Sequence, residues 1–137
     1  MEELEKLRKE IDKLDKMIAE LISKRQGLSN KILEAKGGEF TYDPVRERKV
    51  MEKIFSYGID TKLAERIWRQ IIAFNLSKQK KLKIGHLGDD KFSIAAYECY
   101  FGPYFEKRDY KNVTNLMEGI SNKIIDVAII ELSLIHI

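Results

Sequence analysis

Residues 4–35 read LEKLRKEIDKLDKMIAELISKRQGLSNKILEA, and their apolar members recur as Leu4, Leu7, Ile11, Leu14, Ile18, Leu21, then Leu28, Ile32 and Ala35. Alternating steps of three and four keep these side chains on one side of a helix, so the spacing predicts a single long helix with a coiled-coil-like seam. The one gap in the seam is filled by Arg25. An unpaired guanidinium on a buried seam is costly, so something anionic is expected to meet it.

Working outward, Gly37-Gly38 stops this helix, and Asp43-Pro44 opens a second with an N-cap residue followed by proline at the first helical position. The second helix is expected to run to about Tyr57, before Gly58, with an apolar face of Val50, Met51, Ile54 and Phe55. Counting back by three and four places Arg46 and Glu47 beside that face, both able to point inward. Asp60 or Thr61 can cap a third helix, whose line Trp68, Ile72, Asn75, Gln79 turns from apolar to amide at its far end. Lysines 78, 80, 81 and 83 then form a basic run, after which the period becomes strand-like over Leu82-Lys83-Ile84-Gly85-His86-Leu87. This places a boundary near residue 81, with domains expected at 1–81 and 82–137. The later part reads as strand, helix over Phe92–Phe101, helix over Val113–Asn122 and strand over Ile125–Ile130, a small α/β unit.

Composition narrows the function classes. Of 137 residues, 44% are hydrophobic and 34% charged, which suits a helix-rich chain with solvated faces and excludes simple disorder. The 25 basic residues are nearly balanced by 22 acidic ones, so no nucleic-acid footprint is expected. Cys99 is the lone cysteine and the two histidines stand apart, so neither a disulfide nor a metal site is expected, and a reducing cytoplasm fits. The opening MEELEKLRKE lacks the apolar core of a signal peptide, and no apolar stretch reaches membrane-spanning length. No repeat or low-complexity segment is visible.

On one helix, Arg25 and Lys36 stand about 16 Å apart on nearly the same face, so long side chains from both ends could close on a small dianion. Arg8 precedes Arg25 by about 25 Å of helix, too far for both to hold one metabolite. If Arg8 serves the same site, another subunit supplies it.

These residues carry a resemblance to the all-helical chorismate mutase domain fused to prephenate dehydratase in bacterial phenylalanine synthesis. It spans roughly residues 4 to 80 and rests on Leu7-Arg8-Lys9-Glu10-Ile11-Asp12 with Leu14-Asp15, Lys24-Arg25, Ala35-Lys36, Asp43-Pro44-Val45-Arg46-Glu47-Arg48, and Asn75 with Gln79. The resemblance implies a mainly α fold, three helices per chain in an intertwined homodimer whose long first helix delivers Arg8 into the partner's site. The implied reaction is the Claisen rearrangement of chorismate to prephenate, without nucleophile, metal or cofactor. Catalysis then comes from holding the folded conformer and from donors aimed at the ether oxygen, for which Lys36 and Gln79 are the candidates. By the same resemblance Arg25 and the partner's Arg8 bind the substrate carboxylates, and Glu47 with the Asp43 region holds the ring hydroxyl. Arg46 supports this arrangement or touches a carboxylate, and Asn75 stands where the family often has serine.

Taken singly, each residue has a plainer reading. Arg25 could snorkel to solvent, Lys36 could be a solvated helix-end lysine, and Asp43 a cap without chemistry; Asn75, Gln79 and Glu47 could be surface polar groups. Their joint spacing carries the functional reading. Two rivals stand beside it: a lyase of the same fold that removes pyruvate from isochorismate, against which the Asp43–Glu47 segment and Gln79 speak, and a non-catalytic dimerisation coiled coil, which leaves Arg25, Arg46 and Glu47 unexplained. No residue argues for regulation by an aromatic amino acid bound to the tail.

Residues 82–131 resemble the start of a prephenate dehydratase domain through Ile84-Gly85-His86-Leu87-Gly88, Phe92-Ser93, Ala95-Ala96 and Asp126-Val127-Ala128-Ile129-Ile130-Glu131. Gly88-Asp89-Asp90-Lys91-Phe92-Ser93 departs from that family's glycine-rich turn, and dehydratase activity is not expected. Leu132-Ser133-Leu134-Ile135-His136-Ile137 matches the translation of a common transposon-end sequencing adapter, which predicts a truncated reading frame with unpartnered strands in the tail. His86 and Cys99 are read as packing residues, and Tyr97, Tyr100, Phe101, Tyr104 and Phe105 as core.

Overall fold

The computed structural model describes residues 1–39 and 42–131. Its elements in chain order are α1 (Glu2–Ala35), α2 (Pro44–Phe55), α3 (Thr61–Gln79), β1 (Lys83–Leu87), α4 (Lys91–Tyr100), β2 (Glu106–Tyr110), α5 (Val113–Ser121) and β3 (Val127–Ala128). The chain is mainly α, three helices followed by a small α/β segment. It divides into two compact units, Met1–Phe40 and Thr41–Ile137, and the change of period near residue 81 falls inside the second.

The first unit is α1, 34 residues long, or about 51 Å at the usual helical rise. Glu2, Glu3 and Glu5 in its first turn favour the positive end of the helix dipole. Its far end is closed by Gly37 and Gly38, with φ of +74° and +78°, whose amides turn back to the Glu34 and Leu33 carbonyls. That pairing satisfies carbonyls that no further helical turn would reach. No α1 residue is buried. Its seam from Leu4 through Leu21 stays between 47 and 61% exposed.

In the second unit, Asp43 Oδ1 accepts from the Arg46 amide at 3.0 Å and Asp60 Oδ1 from the Leu63 amide at 3.0 Å, so aspartates open both α2 and α3. Of the two caps the sequence allowed for α3, Asp60 is the one used. The two helices pack through a buried set of Met51, Ile54, Ala64, Ile72, Ala73 and Leu76.

The sheet is parallel, in the order β2-β1-β3. Glu106-Lys107-Arg108-Asp109-Tyr110 forms β2, which the sequence reading left unassigned because four charged residues in succession hide any apolar alternation. As an edge strand it tolerates them. The last strand is shorter than the expected Ile125–Ile130, covering Val127–Ala128, although Asp126 N–H to Lys83 O at 2.8 Å and Ile129 N–H to Gly85 O at 2.9 Å carry the pairing past it. The expectation of unpartnered strands is corrected for β1, which is paired on both sides; among the described residues the edges fall on β2 and β3. Residues 132–137, with the adapter-like sequence, lie outside the described residues.

Ile84 in β1 and Leu116 in α5 are fully buried, with Tyr97, Phe101 and Phe105 nearly so. Tyr100 and Tyr104 depart from the expected core, at 38 and 39% exposed. His86 is a packing residue at 0% exposure, its Nε2 2.7 Å from Asp109 Oδ1 and its Nδ1 3.1 Å from Leu87 O. The helix α4 joins the sheet to α3, where Gln70 Nε2 donates to Glu98 O at 3.4 Å. Among the described residues no helix is long and apolar enough to cross a membrane.

Candidate active site

The residues singled out in the sequence are divided between the two units. On α1, Arg8 lies on an exposed face and pairs with Glu5, Nη1 to Oε1 3.1 Å, both side chains more than 60% exposed. Such a pair contributes little and leaves the guanidinium available. Arg25 is half-buried. Lys36 is exposed and is the C-cap itself, its amide donating to the carbonyls of Ile32 and Leu33. The glycine turn that follows therefore fixes where its side chain departs from the helix.

In the second unit the inward residue of α2 is Glu47. Arg46, set beside the same face and able to point inward by the same count, is exposed. Its neighbours explain the difference: Glu47 stands one helical turn before Met51 and two before Ile54 on the buried face, whereas Arg46 lies on the flank and offers its amide to the Asp43 cap. Asp43 is accordingly engaged at one oxygen by the helix it opens.

Glu47 finds a partner that the sequence reading missed. Arg69 of α3 reaches it with Nη1 3.2 Å from Oε1, the two side chains 9 and 13% exposed. The guanidinium carbon of Arg69 also sits 4.1 Å from the ring centre of Tyr100 on α4. The signal for Arg69 was present: it precedes Ile72, Ala73 and Leu76 by three, four and seven residues, which puts it on their buried face. Its partner lies 22 residues away, outside the reach of any local pattern.

Burial pushes the Glu47 carboxyl above its ordinary value, with the Asp43 charge adding to the effect and Arg69 opposing it. Burial likewise pushes the Tyr42 phenol up to about 12, helped by the charge of Glu47 and opposed by Arg69. Two acids on α2 and its approach are thus biased toward their neutral forms, and Arg69 is the group that favours ionisation of both.

Further along α3, Asn75 is 7% exposed, and its Nδ2 is buried without a hydrogen-bond partner among the described residues. An amide donor left so is a cost to the fold and an available group for a ligand oxygen. Gln79, one turn on, is half-buried at the end of α3. On the other side of Arg69, between α3 and α4, lies a cleft of about 620 Å³ whose lining mixes Arg66, Glu65, Glu98 and Cys99. None of the site residues expected from the sequence lines it. Among the described residues no cluster of three or more His, Cys, Asp or Glu side chains has the geometry to hold a metal.

The chain is 38% identical over 97 residues, 64% of its length, to a bifunctional chorismate mutase/prephenate dehydratase of Aquifex aeolicus (strain VF5). It is 30% identical over 112 residues, 74% of its length, to a protein of the same description from Stutzerimonas stutzeri. The aligned parts cover 27 and 31% of those relatives, so the chain spans under a third of the length of each. No solved structure matches the chain. Residues 7–80, more than half of the chain and the whole stretch that carries Arg8, Arg25, Lys36, Glu47, Asn75 and Gln79, match chorismate mutase type II, and the chain belongs to that family.

Proposed function

We propose that this chain catalyses the rearrangement of chorismate to prephenate, in the cytoplasm, as part of aromatic amino acid biosynthesis. The observation that carries the reading is the family match across residues 7–80, with an inward Glu47 and an unpartnered Asn75 amide on the facing helices of that stretch. In the reaction the ether C–O bond breaks as a C–C bond forms, so atoms and charge are conserved within the substrate. The protein has to hold the folded conformer and stabilise charge growing on the ether oxygen. Lys36 and Gln79 are assigned as donors to that oxygen, and Glu47 with Asp43 to the ring hydroxyl. Arg25 and the partner subunit's copy of Arg8 take the two carboxylates, where a planar fork gives orientation as well as charge. Arg46 supports a carboxylate from its exposed position, and Asn75 offers Nδ2 to the substrate. No cofactor has a part in this scheme.

The working form is a homodimer. Its support is the exposed seam of α1 and the distance between Arg8 and Arg25, about 25 Å along one helix, which one substrate cannot bridge. A mutase domain over residues 1–81 is followed by a segment, 82–137, similar to the beginning of a prephenate dehydratase and without that activity.

The test is chorismate loss and prephenate formation by the purified full chain, alongside Lys36→Ala at matched helicity. Prephenate formation that collapses in the variant supports the mutase and the role of Lys36. A well-folded dimer that leaves chorismate untouched sinks the enzyme reading and favours a dimerisation coiled coil.

A further inference from the structure

The segment beyond residue 80 lies outside the family match, yet one of its rings covers the arginine that holds the carboxylate assigned to the substrate hydroxyl. Glu47 is held by Arg69, and Arg69 is covered by Tyr100 of α4. We propose that Arg69 is a positioning residue for Glu47 and that Tyr100, supplied by the tail, holds Arg69 in place. The proposal rests on the mutase reading above.

Three observations carry it. The pair is nearly dry, with side chains 9 and 13% exposed, and a close charge pair in such surroundings fixes geometry more firmly than one at the surface. Arg69 makes its hydrogen bond through Nη1, while its Nε is buried without a partner among the described residues. The Tyr100 ring, its centre 4.1 Å from the guanidinium carbon, gives the charge a second contact. The bond to Arg69 uses Oε1 of Glu47, which leaves the role of hydroxyl acceptor to Oε2. With one oxygen clamped, the other cannot swing away as substrate enters.

The clamp also sets charge. Burial and Asp43 both push Glu47 toward its neutral form, and Arg69 opposes them. A neutral carboxyl is a poorer acceptor for the ring hydroxyl than a carboxylate. Without Arg69 the proton would stay on Glu47 to higher pH, so the acid limb of the pH–rate profile should move upward.

The experiment compares kcat/KM for chorismate across pH in the full chain and in Arg69→Gln, Arg69→Lys, Tyr100→Leu and Tyr100→Phe, each checked for helicity. Arg69→Gln is expected to lose about 100-fold at neutral pH, as a misplaced group does, and to move the acid limb up by about one pH unit or more. Arg69→Lys restores the limb in part, because it returns the charge without the planar fork. Tyr100→Leu moves the limb in the same direction by less, and Tyr100→Phe leaves it in place. A folded Arg69→Gln with the parent profile overturns the proposal. Should Arg69→Gln fail to fold, Tyr100→Leu decides, since that ring is 38% exposed: a displaced limb upholds the clamp and an unmoved limb overturns it. A parent chain that forms no prephenate refutes the mutase reading. In that case the clamp is judged by the carbon-13 titration of the Glu47 carboxyl, which Arg69→Gln should move upward if the clamp exists and leave unmoved if it does not.

Discussion

The Gly38 amide donates to the Leu33 carbonyl at 3.0 Å, beside a Gly37 amide bonded to Glu34 O at 2.9 Å, and together they end α1 at Lys36. Both glycines have φ near +75°, where a side chain meets its own carbonyl and costs about 1–2 kcal/mol per residue. Gly37→Ala and Gly38→Ala should each lower stability by about 1 kcal/mol, seen as a fall in Tm with helicity nearly unchanged. If Lys36 donates to the ether oxygen, the double variant should lose prephenate formation at temperatures where it is still folded. A variant with the parent Tm and rate would show that neither the turn nor the exit direction of Lys36 matters.

Tyr42 should be visible in an alkaline titration. Its folded-state pKa is pushed to about 12, above the ordinary value of about 10 for a free phenol. Across that window the folded chain keeps a proton that the unfolded chain has released, so stability falls as pH rises through it. Tyr42→Phe is expected to flatten the alkaline loss of stability and remove one late-ionising phenol from the ultraviolet titration. An unchanged late phase would place the phenol in water.

The tail core offers a separate check. The Tyr97 hydroxyl, buried at 7% residue exposure, donates to Phe105 O at 2.6 Å. Tyr97→Phe keeps the ring and strands that carbonyl, so stability should fall by about 1–3 kcal/mol, the usual cost of an unsatisfied buried group. Chemical denaturation followed by near-ultraviolet circular dichroism reads the change. Equal stability in the variant would mean that water reaches the carbonyl.

Local signals were the legible part of this chain. The seam Leu4–Ala35, the double glycine after it, the Asp43-Pro44 opening and the aspartate before α3 are each written within a few residues, because caps and helical faces are set by neighbours in sequence. Glu47 could be placed inward by counting from Met51 and Ile54. What failed to show was anything set by distant partners. Arg69 is a charge whose burial makes sense only once Glu47 and Tyr100 stand beside it, and β2 is four charges and a tyrosine that become a strand because β1 offers a free edge. Arg46 shows the limit of such counting: it set Arg46 and Glu47 alike beside the apolar face, yet adjacent residues on a helix point about 100° apart, and only Glu47 turns inward while Arg46 is exposed.

The proposed exchange of Arg8 between subunits can be separated from the chemistry by mixing inactive variants. Arg8→Ala and Arg25→Ala should each abolish most activity as homodimers, since each leaves one substrate carboxylate without its guanidinium. In a mixed dimer one site would combine an intact Arg25 with an intact Arg8 from across the interface, while the other site would lack both. Random mixing of symmetric dimers makes half of them mixed, so about a quarter of the parent sites should return. Should Arg8 serve its own chain's site, every site in the mixture lacks one arginine and no activity is regained. The seam supplies the control: Leu14 and Ile18 are 56 and 54% exposed in the single chain, and Leu14→Asp with Ile18→Asp on both partners should give a monomer by sedimentation and cancel the recovery. Recovery that survives in a monomer would mean that the two arginines meet by some route other than the α1 seam.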